Sequence, residues 1–580
     1  MTGFARLKGY LSKHKKTLYG GLWAVFLTNF FTLLPPWFVK LAVDEIQAGT
    51  TVGALLLYGF WIVFTTLVQG YFRYRMRQTL IVSSRRVEYE LRNDYFAKLL
   101  RLPKSFYNHF KTGEIISRAN ADLDAVRNLV GPGIMQAANT VLTLAGSFAF
   151  MLALSPKLSL LTLLPIPFVS AAVFRLGKSV HRKFNLIQEQ YAFLSHKVQE
   201  NLSGVRVVRA YTQEQNEVHS FEKISRELVG RTLSMVRVQA LFYPVLYFLA
   251  GGSLLLVVWV GGQEVIAGRM TLGGLLAFLL YLLNLTWPAI ALGWVVGLYQ
   301  QGKASLARLE EIFSAEEEPT GGGVKVAPRA FRGAVEFRDL SFGYGGDNHL
   351  VLKNINLTIP AGKTVALVGR TGAGKSTLVG LIPKIFPVKD GKLFIDGIDV
   401  NLYPTDRLRA LVGFVPQEPF LFSATIAENL SFGQPDADGD AIAGVSRLAG
   451  LEKDVLDFPE QYQTIVGERG ITLSGGQKQR ATLARALAVD PKILILDDAF
   501  SSVDTETEER ILSGLRDVRQ GRTVLLISHR VSTVKDADFI VVLDGGEIVE
   551  QGTHEELLAR GGYYAELHVK QLLEEELEKI

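Results

Sequence analysis

The sequence has no cysteine among its 580 residues, so disulfide bonds and thiolate metal sites are excluded. Charged residues are also nearly missing from six long stretches in the first half. Each is long enough to cross the bilayer core of about 30 Å, which takes roughly 17 to 25 helical residues. They run approximately from Thr17 to Val39, Val52 to Phe72, Ile134 to Leu154, Leu158 to Phe174, Val238 to Gly262 and Thr271 to Gln301. The first half is therefore predicted to be an all-α, six-helix transmembrane domain in a lipid bilayer.

Basic residues are scarce in the short connections between these stretches, and this scarcity predicts the orientation of the chain. The segment from Arg73 to Gly133 has 12 Lys and Arg, and that from Arg175 to Arg237 has 11. The other connections hold only Lys40, Lys157 and Arg269. Basic residues concentrate on the cytoplasmic side of a membrane. Both long segments and both termini are therefore predicted to be cytoplasmic, in a multi-pass membrane protein.

The net charge of +5 would by itself be compatible with nucleic-acid binding. The basic residues follow the membrane topology instead, and six spans exclude in practice a soluble protein that acts on nucleic acid. No nucleic-acid partner is predicted. A cleaved signal peptide is not predicted either, because the basic start leads into a span that is too long for the apolar region of a signal peptide.

Both long cytoplasmic segments are helical in composition and contain few helix breakers. The spans are therefore predicted to continue into water as helices, which rise 1.5 Å per residue, and to turn back at a short tip. The tips are predicted at Ser105 to Lys111 and at Ala210 to Asn216. They carry aromatic or polar residues suited to docking, and plain solvated turns are the alternative. Asn29 and Gln69 lie within spans, where polar side chains tend to face the bundle interior or a water-filled cavity.

An acidic and then glycine-rich segment from Ser314 to Pro328 predicts a flexible linker between two domains. The predicted organisation is a transmembrane domain at 1–313 with an elbow segment at its start, a linker at 314–328, an α/β domain at 329–566 and a C-terminal helix at 567–580. The last helix places Leu573, Leu577 and Ile580 at helical spacing among glutamates. Pairing with a partner's tail and a solvated, frayed helix are the open alternatives for it.

The second half alternates strand-like and helical runs, which is typical of an α/β domain. Its clearest motif lies at residues 369–377, between a strand-like run and a helical run. This context is that of a P-loop, whose backbone N–H groups surround the phosphates of ATP. Lys375 is predicted to reach the β- and γ-phosphates, and the Ser376 hydroxyl to hold Mg²⁺. The predicted nucleotide-binding residues of the motif are Gly369, Arg370, Thr371, Gly372, Ala373, Gly374, Lys375, Ser376 and Thr377.

A second part of the site follows the apolar run from Lys492 to Asp497, which is typical of a buried strand that ends in a carboxylate. Asp497 is predicted to lie at the end of that strand near the P-loop and to hold Mg²⁺ through its water shell. A structural carboxylate that only caps a strand end is the alternative, and the P-loop disfavours it.

Between these motifs lies Leu473-Ser-Gly-Gly-Gln477, where Ser-Gly-Gly would open a helix and offer N–H groups and a hydroxyl to an anion. With this segment the chain resembles an ABC transporter of the exporter type, in which six membrane helices are fused to one P-loop ATPase domain. The resemblance covers nearly the whole chain. It implies ATP and Mg²⁺ as ligands, and a second half-transporter whose P-loop faces Ser474, Gly475, Gly476 and Gln477 across a dimer.

The resemblance also implies roles for residues outside these motifs. Tyr344 corresponds to the aromatic residue that stacks on adenine, and Gln417 to the glutamine that senses Mg²⁺ and the γ-phosphate. His529 corresponds to the switch histidine near the γ-phosphate. The segment from Thr464 to Gly470 matches the one that contacts the tips of the membrane helices, and Ser501 to Asp504 matches the loop called the D-loop.

One position departs from the family pattern. The family has a glutamate after Asp497 that polarises the attacking water, and this sequence has Asp498. The aspartate carboxylate is one methylene shorter, and a displacement of about 1 Å can reduce a rate about a hundredfold. Asp498 is therefore a poor catalytic base, whereas the other motifs are intact. This combination resembles the degenerate-site subunit of bacterial heterodimeric exporters of drugs and peptides.

The sequence predicts ATP-driven export of a small hydrophobic, lipid or peptide substrate, with hydrolysis mainly at the partner's site. A homodimer with Asp498 as a slow base remains open, as does a regulatory ATP-binding subunit without turnover at its own site. An importer is disfavoured because bacterial importers usually keep the membrane and ATPase domains on separate chains. Nothing in the spans selects among substrates.

Overall fold

A computed structural model of the chain describes residues 3–49, 51–163, 166–319, 331–344, 349–519 and 521–578. These residues form two compact units. The helical unit comprises Met1–Leu99 and Gly113–Ser314, and the α/β unit comprises Leu100–Thr112 and Ala315–Ile580. Residues 320–328 of the predicted linker lie outside the described residues, as do residues 579 and 580 and the side chain of Leu577 in the predicted C-terminal helix.

Helices account for nearly all the described residues before Ala315. They are α1 (Gly3–Lys13), α2 (Lys15–Gln47), α3 (Val52–Leu99), α4 (Lys104–His109), α5 (Thr112–Ser117), α6 (Leu123–Asn128), α7 (Ile134–Leu154), α8 (Pro156–Leu163), α9 (Ile166–Ser203), α10 (Val205–Ala210), α11 (Glu214–Ala240), α12 (Phe242–Ile266), α13 (Leu272–Asn284) and α14 (Thr286–Ser314). Two π-helical turns, Arg118–Asp122 and Leu129–Gly133, flank α6.

Four stretches of helix are long and apolar enough to cross a membrane, as judged from the described residues alone: Lys15–Gln47, Val52–Leu99, Thr112–Leu154 and Leu272–Ser314. They contain four of the six predicted spans. The other two predicted spans fall on α8, α9, α11 and α12, and parts of 163–174 and 242–250 within them lie outside the described side chains. With 48 residues, α3 is far longer than a bilayer requires, as predicted for a span that continues into water.

Polar side chains of the helical unit meet inside the bundle. Asn29 of α2 is buried and donates to Asn139 Oδ1 of α7 at 3.0 Å, and Thr143 donates to Asn29 Oδ1 at 2.5 Å. Gln69 of α3 donates to Thr32 Oγ1 at 3.0 Å. Polar groups within an apolar bundle need such partners, and interhelical bonds of this kind are worth roughly 1 kcal/mol or less. The interior orientation predicted for Asn29 and Gln69 is therefore observed.

The described residues of the α/β unit form ten strands, namely β1 (Val335–Phe342), β2 (Leu352–Ile359), β3 (Thr364–Gly369), β4 (Leu393–Ile395), β5 (Ile398–Asp399), β6 (Val412–Val415), β7 (Ile493–Asp497), β8 (Thr523–Ile527), β9 (Phe539–Asp544) and β10 (Glu547–Gly552). Its later helices are α15 (Lys375–Leu381), α16 (Thr405–Ala410), α17 (Ile426–Leu430), α18 (Gly439–Leu448), α19 (Glu452–Asp457), α20 (Gly475–Ala488), α21 (Thr505–Arg519), α22 (Val531–Val534), α23 (His554–Arg560) and α24 (Tyr563–Glu578).

The strands form two sheets. The smaller has the order β2-β1-β4-β5 and is antiparallel, and the larger has the order β10-β9-β3-β8-β7-β6. In the larger sheet β9, β3, β8, β7 and β6 are parallel, and only β10 is antiparallel. The carboxyl ends of five strands therefore lie along one edge, which is where ligands bind in open α/β sheets.

The central strands β3, β7 and β8 of the larger sheet are buried on both faces, as the continuous apolar runs predict for parallel strands. In β3, Val365 and Leu367 pack into one apolar core with strands of the smaller sheet, whereas Ala366 and Val368 pack into the other with α20 and α21. Alternate side chains of a strand point to opposite faces, so one short segment contributes to two cores. This packing fixes the height and direction of the loop that follows β3.

The first predicted tip belongs to the α/β unit, since residues 100–112 are part of it. The N–H of Glu318 donates to the carbonyl of Arg101 at 2.9 Å, and the Lys104 ammonium lies 5.4 Å from the centre of the Phe386 ring. The docking surface predicted at Ser105 to Lys111 is therefore favoured over a plain turn. The second tip coincides with the end of α10 and the turn after it, and its described side chains are exposed.

Candidate nucleotide-binding site

The P-loop connects β3 to α15, which is the strand–loop–helix context predicted from the sequence. Two glycines in it are required by the backbone. Gly369 has φ 152°, and a Cβ there would lie 2.0 Å from the carbonyl oxygen of Leu543 in β9. Gly374 has φ 96°, and a Cβ there would meet Leu352 at 2.7 Å. Only glycine fits both conformation and space, so the loop can follow the sheet closely and place its N–H groups at the start of α15.

Lys375 is buried at the first turn of α15, and its ammonium donates to the carbonyls of Gly369 at 2.8 Å and Arg370 at 2.9 Å. Burial lowers the pKa of Lys375, while Asp497 and Asp498 act in the opposite direction. The cation is thus held by neutral carbonyl groups that a phosphate could replace. A dehydrated ammonium in such a pocket gains more from a phosphate than an exposed one would.

Ser376 and Asp497 come together as predicted. The Ser376 hydroxyl donates to Asp497 Oδ1 at 3.0 Å, although the two residues are 121 positions apart. Burial at the end of β7 raises the pKa of Asp497, the nearby Asp498 raises it further, and the Ser376 hydrogen bond lowers it. A hydroxyl and a carboxylate side by side are oxygen ligands that Mg²⁺ accepts, directly or through water. The two residues therefore fit the predicted metal site.

Asp498 follows at once, half-buried, with φ 49°. Its N–H donates to the carbonyl of Ile527 at 3.0 Å, which ties the end of β7 to the end of β8. Aspartate tolerates this left-handed conformation better than most residues. The backbone here is therefore fixed, so the length of the side chain decides how far the carboxylate reaches.

Gln417 and His529 follow β6 and β8, the strands on either side of β7. In the register, Val415 pairs with Leu496 and Asp497 pairs with Ile527. Both residues are exposed two positions beyond the last residues of their strands. Parallel strands end at a common edge, so the fold brings both to the edge that carries Asp497 and Asp498.

Tyr344 lies next to the P-loop helix. Its hydroxyl and that of Thr377 are 2.7 Å apart, and its ring stands edge-on to Phe342 and Phe386 at centroid distances of 5.3 and 5.2 Å. The side chain is 42% exposed, so part of its ring is available to a ligand. An aromatic face anchored beside a P-loop suits the stacking role that the resemblance implies for Tyr344.

The predicted signature segment opens α20 with a capping box. Ser474 Oγ accepts from the N–H of Gln477 at 3.3 Å, and Gln477 Oε1 accepts from the N–H of Ser474 at 2.9 Å. Gln477 also donates to Asp454 Oδ1 at 3.0 Å. Its side chain is therefore committed to shaping the start of the helix, as in other capping boxes. The exposed Ser474 and Gly475 are the residues of this segment most open to an anion.

Sequence reasoning did not single out Gln479, which is buried on α20. Its Nε2 donates to Ser501 Oγ at 2.7 Å, and its Oε1 accepts from the N–H of Ser502 at 2.8 Å. Gly476 completes this contact, because a Cβ there would lie 2.8 Å from the carbonyl oxygen of Ser502. The D-loop is therefore fastened to the signature helix. The signal available in the sequence was a polar residue on the predicted buried side of a helix.

Glu508 of α21 is a second residue that sequence reasoning missed. Its carboxylate is buried, accepts from Arg530 at 2.5 Å and accepts a hydrogen bond from the Thr533 hydroxyl. Arg530 also donates to the carbonyl of Val503 at 3.3 Å. The D-loop and the segment that carries His529 are thus connected through one buried carboxylate.

Replacing Glu508 by Ala is expected to destabilise the α/β unit by about 2 to 3 kcal/mol, because Thr533 and Arg530 lose a buried acceptor. Glu509→Ala is the matched control, since Glu509 is exposed on the same helix turn and should change stability by less than about 0.5 kcal/mol. Hydrogen exchange of the backbone amides in 529–534, measured on the detergent-solubilised chain, should speed up for Glu508→Ala only. Equal protection in both variants would contradict the structural role.

Two family models match this chain. The ABC transporter transmembrane region matches residues 18–289, and the ABC transporter domain matches residues 352–501. The chain is 36% identical to the probable multidrug resistance ABC transporter ATP-binding/permease protein YheI of Bacillus subtilis (strain 168), over 94% of this chain and 93% of the relative. This chain belongs to the ABC transporter family.

Other relatives agree with this assignment. The half-transporter is 34% identical to the multidrug resistance-like ATP-binding protein MdlA of Escherichia coli (strain K12), over 99% of this chain and 98% of the relative. A solved structure of a bacterial Atm1-family ABC exporter with ATP bound superimposes with a TM-score of 0.80 at 27% identity, and the match covers 96% of this chain and 99% of that one. The predicted fold class, a helical membrane domain fused to a P-loop ATPase domain, is confirmed, and so is the exporter-type family.

Proposed function

We propose that this half-transporter pairs with a different half-transporter in the bacterial cytoplasmic membrane and exports hydrophobic or amphipathic solutes with the energy of ATP. Both termini and the ATPase domain lie in the cytoplasm in this proposal. Support for a drug-like cargo comes from relatives that are described as multidrug resistance proteins along nearly the whole chain. Lipids and peptides belong to the same amphipathic class of substrate.

The observation that carries the heterodimer is Asp498. Its backbone is fixed by the hydrogen bond to Ile527, so its carboxylate stops one methylene, about 1.5 Å, short of where a glutamate would reach. A base that is misplaced by this distance loses about a hundredfold in rate. We therefore assign slow hydrolysis to the site on this chain. The intact Ser474 to Gln477 segment instead completes a competent site on the partner.

The residues of this chain have separate roles at its own nucleotide-binding site. The N–H groups of residues 369–377 and the Lys375 ammonium bind the phosphates, while Tyr344 stacks on the adenine. Ser376, Gln417 and Asp497 would hold Mg²⁺, which would neutralise charge on the phosphates. His529 contacts the γ-phosphate. Asp498 orients water inefficiently, so this site mainly binds ATP.

The transport cycle is a shift of population between open and closed arrangements. Closure joins the P-loop of each chain to the signature segment of the other, because the N–H groups at the start of α20 favour an anion. The tips at Phe106 to Phe110 and Ala210 to Gln213 pass this closure to the membrane helices. Hydrolysis at the partner's site then separates the two ATPase domains.

The test is to purify this chain alone and together with its partner and to measure ATP turnover. We expect slow turnover by this chain alone and brisk turnover by the pair, lost when the partner's catalytic glutamate is replaced by glutamine. Photolabelling with 8-azido-ATP reports binding to this chain independently of turnover.

Brisk turnover by a homodimer that Asp498→Asn abolishes would replace the heterodimer with a homodimeric exporter. Turnover that survives replacement of the partner's glutamate would assign catalysis to this chain. Normal ATP binding without transport by the pair in vesicles would favour the regulatory subunit.

A further inference from the structure

The C-terminal helix α24 is fixed at its start to the end of the larger sheet. The carboxylate of Glu550 in β10 accepts from the N–H groups of Tyr563 at 2.6 Å and Tyr564 at 3.3 Å. Tyr564 is fully buried, and its hydroxyl lies 2.8 Å from Nδ1 of His554. The first turn therefore belongs to the core of the unit, which sets where the following turns point.

Two turns further along, Gln571 forms two hydrogen bonds with the switch segment, the stretch after β8 that carries His529. Its Nε2 donates to the carbonyl of His529, and its Oε1 accepts from the N–H of Val531 at 2.7 Å. The two bonds have opposite polarity, so an amide can make both, whereas a carboxylate or an apolar group cannot. They hold the backbone on both sides of Arg530, which Glu508 holds through its side chain.

The same helix also reaches the P-loop. The guanidinium of Arg370 lies 5.8 Å from the centre of the Tyr563 ring, within the range of a cation–π contact. One helix therefore contacts both the phosphate-binding loop after β3 and the switch segment after β8, two neighbouring strands of the sheet. The first turn of α24 contacts the P-loop, and its third turn contacts the switch segment.

We propose that Gln571 is a positioning residue that sets the switch histidine for the γ-phosphate. In the described part of the chain the imidazole of His529 has no hydrogen bond of its own, so its backbone decides where the ring stands. The Gln571 amide defines that backbone from outside the family's motifs. This inference rests on the γ-phosphate role proposed for His529, and α24 thereby becomes a part of the nucleotide site.

The test compares ATP with ADP, since only ATP carries the γ-phosphate. The full-length chain, with its partner where one is needed, is assayed by displacement of 8-azido-ATP from this chain in the presence of Mg²⁺. Gln571→Met keeps the length of the side chain and removes both hydrogen bonds. We expect it to weaken ATP binding about five- to tenfold and to leave ADP binding within twofold, as His529→Ala should.

Three further variants make the result specific. Gln571→Glu retains the acceptor for Val531 N–H but places a carboxylate oxygen against the carbonyl oxygen of His529. Because the two oxygens repel each other, its effect on ATP binding should equal or exceed that of Gln571→Met. Val569 is exposed on the same helix, so Val569→Ala is the control and should change the affinity for neither ATP nor ADP. The double variant of Gln571→Met with His529→Ala should bind ATP as tightly as His529→Ala alone, because both residues act through the contact of His529 with the γ-phosphate.

The possible failures differ in meaning. If His529→Ala leaves ATP binding unchanged, the role proposed for His529 is wrong. If His529→Ala weakens ATP binding and Gln571→Met does not, Gln571 does not position the histidine. Equal weakening of ATP and ADP by Gln571→Met would show that the glutamine only stabilises the fold, and it would overturn the inference.

Discussion

Lys375→Ala is expected to reduce the affinity of this chain for ATP by on the order of a hundredfold. The buried ammonium is replaced by a methyl group, and charge-assisted hydrogen bonds of this kind are each worth about 1.5 to 3 kcal/mol. The carbonyls of Gly369 and Arg370, which accept from Lys375 at 2.8 and 2.9 Å, also lose their donor, so the loop becomes less ordered. Photolabelling of this chain with 8-azido-ATP at increasing concentration measures the effect.

Lys389→Ala is the matched control, because Lys389 is an exposed lysine of the same unit outside the P-loop. It should bind ATP as the unchanged chain does. Lys375→Arg should also bind poorly, since a planar guanidinium does not replace a compact ammonium in a closed pocket. Unaltered labelling of Lys375→Ala, in a protein that unfolds at the normal temperature, would contradict the role given to this residue.

Asp498→Glu is expected to increase ATP hydrolysis at this chain's site by on the order of a hundredfold. The backbone of Asp498 is held by Ile527, so the extra methylene moves the carboxylate toward the attacking water without moving the strand. The measurement uses a pair in which the partner's catalytic glutamate is replaced by glutamine, so that only this site turns over. Vanadate trapping of labelled nucleotide on this chain gives an independent reading.

The control for this gain is Asp498→Gln, which has the length of glutamate without its charge and should hydrolyse no faster than the unchanged chain. The left-handed φ of 49° favours aspartate over a longer residue, so Asp498→Glu should also lose a few tenths of a kcal/mol of stability. Equal rates for Asp498→Glu and Asp498→Gln would show that another feature limits this site. The degenerate-site interpretation would then lack its basis.

The largest features of the protein could be predicted because each is determined by residues that are neighbours in the sequence. A span is a run of some twenty residues without charge, and its length follows from the thickness of a bilayer. The P-loop is nine consecutive residues between β3 and α15. The run that ends at Asp497 needs only its apolar composition to be recognised as a buried strand. None of these depends on what lies elsewhere in the chain.

Some of the site could be predicted only in part. The segment from Ser474 to Gln477 was expected to face the P-loop of a second half-transporter, and the structure shows that the Gln477 side chain is occupied by the capping box and by Asp454. The hydrogen-bond acceptor of Gln477, Asp454, lies 23 positions away in the sequence. The capping-box spacing was visible in the sequence, whereas the contact to α19 was not.

The sequence by itself determined the membrane spans, the strand–loop–helix of the P-loop and the carboxylate at the end of β7, because backbone geometry and hydrophobic periodicity act over neighbouring residues. Only the tertiary structure decided three sets of hydrogen bonds. Gln479 bonds to the D-loop, Glu508 connects the D-loop to the switch segment through Arg530, and Gln571 bonds to the backbone of His529. Each of these contacts joins residues 22 to 42 positions apart. Such pairs form only once the order of the strands has brought their loops to one edge of the sheet.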